Sequence, residues 1–325
     1  MIFPRRNFLH LAAGAAALPA LSRIARAQAY PSRPVRLIVG FAAGGAFDIM
    51  ARLIGQWLSE RLGQPFVIEN RPGGGGNIGT EAVVRAPPDG YTLLLFGVPN
   101  AINVTLYDKL NFNFISDIAP VAGLMAGSSV MVVHPSVPAN TVPEFIAYAK
   151  ANPRKVNMAS SSTGSTNHVS GELFKMMAGI DMAHVPYRSA GPALTDLLGG
   201  QVQVQFATMS SSIEYIRTRK LHALAVTTAT RSEALPQIPT VAEFVPGYEA
   251  STWGGIGAPK NTPVEIVNKL NADINGAAGD SPLKARLVDL GSELIPMSPA
   301  GFGDFIGSEI EKWAKVATFA NVKVD

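Results

Sequence analysis

The stretch that decides the fold is residues 36–54, RLIVGFAAGGAFDIMARLI. It begins with an apolar run over 37–41, which is typical of a strand buried on both faces. Gly44 and Gly45 then allow a tight turn without side chains, and apolar residues recur at helical spacing over 49–58. The stretch therefore predicts a strand, a tight loop and a helix. The first N–H groups of such a helix have no partner of their own, and this arrangement binds anions.

Residues 1–29 have the pattern of an export signal. Arg5 and Arg6 precede an apolar run over 10–21, and a small-x-small cleavage motif ends at Ala29. The paired arginines resemble a twin-arginine signal, although the general export route stays open. The alternative is an N-terminal membrane anchor, which the short apolar run and the cleavage motif disfavour. We therefore expect a periplasmic protein whose signal is removed near Ala29.

The charge balance depends on this signal. The full chain holds 27 lysines and arginines against 24 acidic residues, a formal net charge of +3. Four of those arginines and none of the acids lie within 1–29, so 23 basic residues (27 less 4) and 24 acidic residues remain, a net of −1. Without a basic stripe, a nucleic-acid partner is not expected. The chain has no cysteine, which excludes disulfides and thiolate metal sites, and we expect no metal and no cofactor.

The strands and helices predicted after the signal fall into two α/β units. The first unit alternates strand and helix up to Phe96, and we expect an irregular segment over 100–120 to follow it. The second unit opens with a capping-box pattern at Thr141 and runs to Thr227. Strands that alternate with helices in this way indicate parallel sheets covered by helices.

Two extended passages, over 119–133 and 251–258, connect these units. The helices after the second passage, one of them predicted to start at a capping box at Thr262, return to the first unit. The sequence therefore predicts an α/β fold with two lobes and a hinge. Its predicted divisions are 1–29 as the export signal, 30–128 plus 252–325 as lobe 1, and 129–251 as lobe 2.

Two loops, 43–48 and 160–166, occupy equivalent positions in the two units. Each follows the carboxyl end of a buried strand and opens a helix, and open α/β sheets bind ligands at this end. If the lobes face each other, two helix N-termini converge on one cleft, which suits a small carboxylate. The alternative is that both loops are only tight connections between a strand and a helix.

Four side chains near these loops are candidates for contact with a ligand. Asp48 either caps its helix or receives an ammonium or hydroxyl group of a ligand. Phe47 either walls a pocket or packs into the core. Asn77 is a candidate amide donor to the cleft. Arg188 either pairs with a ligand carboxylate or is an ordinary surface arginine.

Enzyme chemistry has little support in the sequence. Residues 74–79 match G-x-G-x-x-G, but they follow the second strand of their unit, and no acidic residue lies about 20 positions further on. The histidines lack metal-ligand spacing, since Glu172 four residues after His168 gives only one weak pair. No serine lies in a G-x-S-x-G motif. A dinucleotide-binding fold and a hydrolase are therefore both disfavoured.

An ordered set of motifs spans nearly the whole of residues 30–325. The motifs are FAAGG at 41–45 with Asp48, ENRPG at 69–73, NIG at 77–79, PDGYTL at 88–93, AKANP at 149–153, HVPY at 184–187, DLLGGQ at 196–201, LAVT at 224–227 and PTVAE at 239–243. Together they resemble the Bug-type solute receptors of tripartite tricarboxylate transporters. The resemblance implies a two-lobed periplasmic binding protein, type II-like, with two crossover strands and a ligand cleft between the lobes. It also implies a non-enzymatic, monomeric receptor that presents a small carboxylate to membrane transporter subunits.

In such receptors, backbone amides of the first loop and hydroxyls and amides of the second hold the ligand. The candidate ligand-binding residues are Phe41, Ala43, Gly44, Gly45, Ala46, Phe47, Asp48, Asn77, Ser160, Ser161, Thr163, Gly164, Ser165, Thr166, Arg188 and Ala207. The chain departs from the family at Phe47, where a small residue or threonine is common, at Ala207, where many relatives carry aspartate, and at Ser189. We therefore hypothesise a ligand with an aromatic or relatively apolar body. A receptor for a sensor system and a periplasmic α/β enzyme remain as alternatives.

Overall fold

In the computed structural model, which describes residues 30–107, 109–289 and 291–322, the strands form two sheets. The predicted export signal, 1–29, lies outside the described residues. The strands are β1 Val35–Val39, β2 Phe66–Asn70, β3 Thr92–Gly97, β4 Ile118–Gly127, β5 Ser129–Val133, β6 Asn157–Ser160, β7 Ala183–Pro186, β8 Val204–Thr208, β9 His222–Val226, β10 Thr252–Pro259 and β11 Ser292–Leu294. The predicted strand and helix of the opening stretch are confirmed by β1 and the helix that follows it.

Helices cover the faces of these sheets, as the alternating pattern predicts. They are α1 Ala46–Leu62, α2 Asn77–Val84, α3 Val98–Leu106, α4 Phe114–Asp117, α5 Val142–Ala151, α6 Thr166–Ala178, α7 Ala190–Leu198, α8 Met209–Arg217, α9 Val264–Asn275, α10 Ser281–Asp289 and α11 Pro299–Phe319. Within the ranges that the structure describes, none of them combines the length and the apolar character that crossing a bilayer requires.

The chain passes between the two sheets twice. The first sheet has the order β11-β4-β10-β3-β1-β2 and the second β7-β6-β8-β5-β9. Ser128 alone separates β4 from β5, and residues 227–251 lead from β9 to β10. Both predicted extended passages are therefore confirmed. The predicted lobe boundaries fall at these two crossings, but the division into lobes that move stays a prediction.

The two crossings, at Ser128 and over 227–251, are held by hydrogen bonds to the residues around them. The Thr227 amide donates to the Ser129 carbonyl at 2.9 Å, and the Thr227 hydroxyl donates to the Ala250 carbonyl at 2.9 Å. The Ser128 amide donates to the Gly291 carbonyl at 3.1 Å. Since Thr227 is fully buried, this polar cluster fixes where the two sheets meet.

The irregular segment predicted over 100–120 is wrong, because α3 and α4 form there. At the start of α3 the Asn100 side chain accepts a hydrogen bond from the Gly97 amide at 3.1 Å, and Pro99 occupies the first turn. Ala101 and Ile102 are fully buried, and α3 packs against α11. Tertiary packing thus makes a helix of a segment whose many asparagines suggested a loop.

The capping predictions have different outcomes. Thr141 caps α5, because its hydroxyl oxygen accepts a hydrogen bond from the Glu144 amide at 3.3 Å. The capping box predicted at Thr262 is wrong, since the Thr262 hydroxyl donates to the Pro259 carbonyl at 2.7 Å instead. The sequence also failed to predict α10 and β11, the strand that extends the first sheet beyond β4.

Candidate functional site

The loop after β1 reaches solvent at the carboxyl edge of the first sheet. Residues 42–46, which include Ala43, are all exposed. Asp48, 3% exposed, accepts hydrogen bonds from the Gly44 amide at 2.8 Å and from Arg52 Nε at 2.9 Å. The bond from Arg52 lowers the pKa of Asp48 to about 2. Asp48 is therefore an ionised carboxylate that stabilises the loop and the start of α1.

The amides that remain available for an anion belong to Ala42 and Ala43 and to the first turn of α1. The Gly44 amide donates to Asp48, and the Gly45 amide donates to the Ala42 carbonyl at 3.4 Å. Within the described residues, the amides of Ala46, Phe47 and Asp48 donate to no other group, as expected for a helix start. The free donors thus lie on both sides of the two glycines in the chain.

Two aromatic rings flank this loop. The rings of Phe41 and Phe47 stack with centroids 4.5 Å apart and planes 18° from parallel. Phe47 also lies against Gly97 at the end of β3, where a Cβ atom would come within 2.6 Å of its ring. Phe47 is half-buried, so it packs on the end of the sheet and keeps part of its ring accessible.

The glycine-rich turn before α2 serves close backbone packing. A Cβ atom on Gly40 would lie 2.8 Å from Gly76 Cα, and one on Gly79 would lie 2.8 Å from Gly40 Cα. Asn77 is half-buried, and its side-chain oxygen accepts a hydrogen bond from Asn103 Nδ2 at 3.0 Å. The contacts account for these glycines without a bound phosphate.

The hydroxyls of the second loop are largely used within the protein. Ser160 donates to the Ser162 carbonyl at 3.0 Å, and Ser161 donates to Asn167 Oδ1 at 2.8 Å. Ser165 donates to the Ser162 carbonyl at 2.7 Å and accepts a longer bond from the amide of His168.

Other groups of the second loop are free to meet a ligand. The side chains of Ser162, Thr163 and Thr166 make no hydrogen bond to described residues, and neither do the amides of Thr166 and Asn167 at the start of α6. Ser162 lies in the predicted loop 160–166, although it was not among the individually predicted ligand-binding residues. The second loop therefore resembles the first in leaving a helix start unpaired.

Two stacked histidines support the second loop from behind. The rings of His168 and His184 lie 3.7 Å apart, and His168 Nδ1 accepts a hydrogen bond from the Gly164 amide at 3.1 Å. His184 Nε2 lies 2.6 Å from the Ser160 hydroxyl. Burial, and then the neighbouring His168, lower the pKa of His184 to about 4. The sequence indicated structural histidines, but not that two of them position the loop.

The loops are not bonded to each other within the described residues. A Cβ atom on Gly164 would lie 3.0 Å from Leu106 Cδ1, so the second loop approaches the first sheet at α3. Arg188 is exposed and forms no ion pair with a described carboxylate. Ala207 is 1% exposed and packs in a core cluster with Val130, so its methyl group lies in the sheet rather than on an open surface.

A cavity of about 120 Å³ lies where the first loop meets the hinge. Ala46 and Phe47 line it on the side of the first sheet, and Thr208 to Ser210, which follow Ala207, line it on the side of the second. A larger cavity, about 420 Å³, lies beyond Gly291 and contains none of the predicted site residues. We therefore take the smaller cavity and the adjoining loops as the candidate site.

Comparison with known proteins assigns the chain to a family. Residues 50–321 match the tripartite tricarboxylate transporter family receptor, TctC. The chain belongs to this family. Protein BugT of Bordetella pertussis is 36% identical over 301 residues, which cover 92% of this chain and 92% of BugT.

Two solved structures of TctC-type proteins are also similar. Rpa4515 of R. palustris, determined with adipate, is 37% identical with a TM-score of 0.79, covering 90% of this chain and 99% of that one. MatC from Rhodopseudomonas palustris with bound malate is 32% identical with a TM-score of 0.75, covering 88% and 99%. The prediction of a two-lobed periplasmic-binding-protein fold is thereby confirmed. So is the prediction of a TctC-type carboxylate receptor that is not an enzyme.

Proposed function

We propose that this TctC receptor captures a small carboxylate with an aromatic or relatively apolar body and delivers it to a tripartite tricarboxylate-type membrane transporter. One observation carries the proposal: the first turns of α1 and α6 leave unpaired amides at the carboxyl edges of two sheets. Unpaired amides at a helix start attract anions. The adipate and malate in the two similar structures are carboxylates, which supports the same chemistry here.

The ligand set follows from which polar groups are free. The amides of Ala46 to Asp48 and of Thr166 receive one carboxylate, with the hydroxyls of Thr163 and Thr166 beside it. Arg188 is the cation placed to balance further negative charge, since no described carboxylate neutralises it. Asp48, Ser160 and Ser165 act indirectly, because their own hydrogen bonds hold the two loops in shape.

Binding is proposed to close the two lobes, 30–128 plus 252–325 and 129–251, about the hinge at Ser128 and Thr227. A monomeric receptor in the periplasm, with its signal removed near Ala29, is the form in which this cycle operates. Closure traps the ligand and creates the surface that the transporter subunits recognise. The loss of ligand uptake in a deletion strain would distinguish a transport role from a sensory one.

Native mass spectrometry of the exported protein, followed by calorimetry against a carboxylate panel, tests the ligand class. We expect a retained or added monocarboxylate or dicarboxylate with a hydrocarbon body, binding to one site per chain. Preferred binding of aspartate, glutamate or citrate would contradict an apolar body. Failure of every carboxylate to bind would overturn the receptor function proposed for these loops.

A further inference from the structure

The cavity beside the first loop is unusually apolar for a carboxylate site. Its walls come from one face of α1, from the start of α8, and from β10 and α10. The apolar side chains that line it include Phe47, Ile49, Met50, Leu53, Met209 and Trp253. Ile49 is 39% exposed, although nearby side chains of α1 are buried, so this face is open to an incoming group.

The polar groups at the rim are mostly engaged elsewhere. The Thr208 hydroxyl lies 2.8 Å from that of Ser211, and the Thr252 hydroxyl donates to the Gly127 carbonyl at 2.9 Å. No charged side chain among those the structure describes lines the cavity. A carboxylate buried there would lose its hydration without gaining a partner, which costs far more than burying a hydrocarbon.

The cavity spans the hinge. Met209, which starts α8 after the second sheet's β8, packs against Gly291, which precedes β11 of the first sheet, and the Met209 amide donates to the Ser128 carbonyl at 3.0 Å. The opposite wall, Ala46 and Phe47, carries two of the free amides of α1. A ligand head at these amides would therefore lie beside the cavity, which has lining residues from both sides of the hinge.

We propose that this cavity is a subsite for the hydrocarbon end of a monocarboxylate, a short alkyl chain or an aryl ring. The assignment rests on the proposed function, since the α1 amides must hold the carboxylate head. The volume of about 120 Å³ holds roughly four groups the size of a water molecule and approaches the roughly 150 Å³ of an apolar cavity that binds benzene. Phe47, which replaces the small residue of the family pattern, forms the wall nearest the head.

Calorimetry of the exported protein with acetate, butyrate, hexanoate and octanoate tests the subsite. Each buried methylene is expected to tighten binding about threefold to fourfold, so hexanoate binds about tenfold tighter than butyrate. The gain should end by octanoate, because the cavity is then full. Adipate, which has the length of hexanoate with a second carboxylate, should bind more weakly than hexanoate.

Two variants locate the effect. Ser210→Phe, at an exposed rim position, should fill the cavity and abolish the gain from butyrate to hexanoate while acetate still binds. Ile49→Gln should reduce the gain because it places an amide on the apolar wall. The control is Ser308→Phe, an exposed change on α11 outside the cavity. Its affinity should depend on the chain length of the monocarboxylate as it does in the wild-type protein.

The outcomes separate the subsite from the receptor function. Equal affinity along the monocarboxylate series, or adipate binding at least as tightly as hexanoate, overturns the subsite and leaves carboxylate binding intact. The subsite is also overturned if Ser210→Phe still binds hexanoate about tenfold tighter than butyrate. If neither the monocarboxylates nor the dicarboxylates bind, the proposed function itself fails.

Discussion

Gly97 is the residue on which the position of Phe47 depends. It ends β3, and a Cβ atom there would overlap the Phe47 ring and the Trp253 carbonyl. Phe47 in turn supplies both an amide and a ring to the candidate site. The absence of a side chain at Gly97 therefore allows the Phe47 ring, which lines the cavity, to lie close to the end of β3.

Gly97→Ala tests this contact. The added methyl group must displace Phe47 or the start of β10, so we expect a loss of about 1–3 kcal/mol in the free energy of unfolding, measured by urea denaturation. Gly191→Ala is the matched control, because Gly191 lies in α7 with no heavy atom within 4 Å of the added group, and alanine favours a helix by about 1 kcal/mol. Equal stability of the two variants would contradict the contact.

At the scale of elements, the second loop depends on the packing of α6 against β6 and β7. His168 and Glu172 lie one turn apart on α6, His184 lies on β7, and Lys175 pairs with Glu172 at 2.9 Å. The two rings hold the loop at two points, because His168 Nδ1 accepts a hydrogen bond from the Gly164 amide and His184 Nε2 lies against the Ser160 hydroxyl.

The pH dependence of stability reports on His184. Its pKa is lowered to about 4 in the folded protein against about 6.5 in an unfolded chain, so the unfolded state binds more protons between these values. The contribution of His184 to the free energy of unfolding is complete above pH 6.5 and is lost as the pH falls toward 4. Because the ring is partly exposed, we expect this loss to be roughly 1–2 kcal/mol.

His184→Gln removes this titration and keeps a group that can hydrogen-bond to Ser160. Thermal unfolding from pH 7 to pH 4 should therefore show a smaller loss of stability for the variant than for the wild-type protein. His168, Glu172 and Lys175 remain in both proteins, so the difference between the two curves isolates His184. Parallel curves would contradict the role assigned to its burial.

At the scale of the whole molecule, α11 connects the two sheets. It packs against α3 and β4 of the first sheet and against α6 of the second. Glu309 on α11 accepts hydrogen bonds from the indole N–H groups of Trp253 and Trp313 at 2.6 and 2.9 Å. Lys312 pairs with Glu309 and with Glu249, which lies just before β10. The C-terminal helix is thus tied to the segment that returns to the first sheet.

Glu309→Leu should destabilise the whole fold. Glu309 is 4% exposed, and its loss leaves two indole N–H groups without acceptors, so we expect a loss of about 3 kcal/mol or more in the free energy of unfolding. Glu311→Leu, an exposed change on the same helix, should stay within about 0.5 kcal/mol. A similar urea midpoint for both variants would show that the buried carboxylate does not hold α11.

The pattern of neighbouring residues correctly predicted the helices and strands whose formation depends on local interactions. The opening stretch folds as a strand, a loop and a helix because a continuous apolar run gives way, after a glycine turn, to apolar residues at helical spacing. The final helix begins at Pro299, after the Ser298 cap, and ends at Phe319. The helix at 98–106 could not be predicted in this way, because its stability comes from Asn100, Gly97 and the distant α11.

The same division holds within the candidate site. The sequence identified both loops, since each is a run of small residues between a strand and a helix. It could not tell that Ser160 is occupied by His184, 24 residues away, or that Ala207 faces the core while Thr208 faces the cavity. These outcomes depend on which neighbours the fold supplies.

By itself the sequence determined the alternation of strands and helices, the two crossings between sheets and, through its motifs, the receptor family. These features follow from residue periodicity and from residues adjacent in the chain. Only the tertiary structure decided which amides remain free and where an apolar cavity forms. The reason is that the cavity joins Phe47, Met209 and Trp253, which are far apart in sequence and meet only when both sheets fold around the hinge.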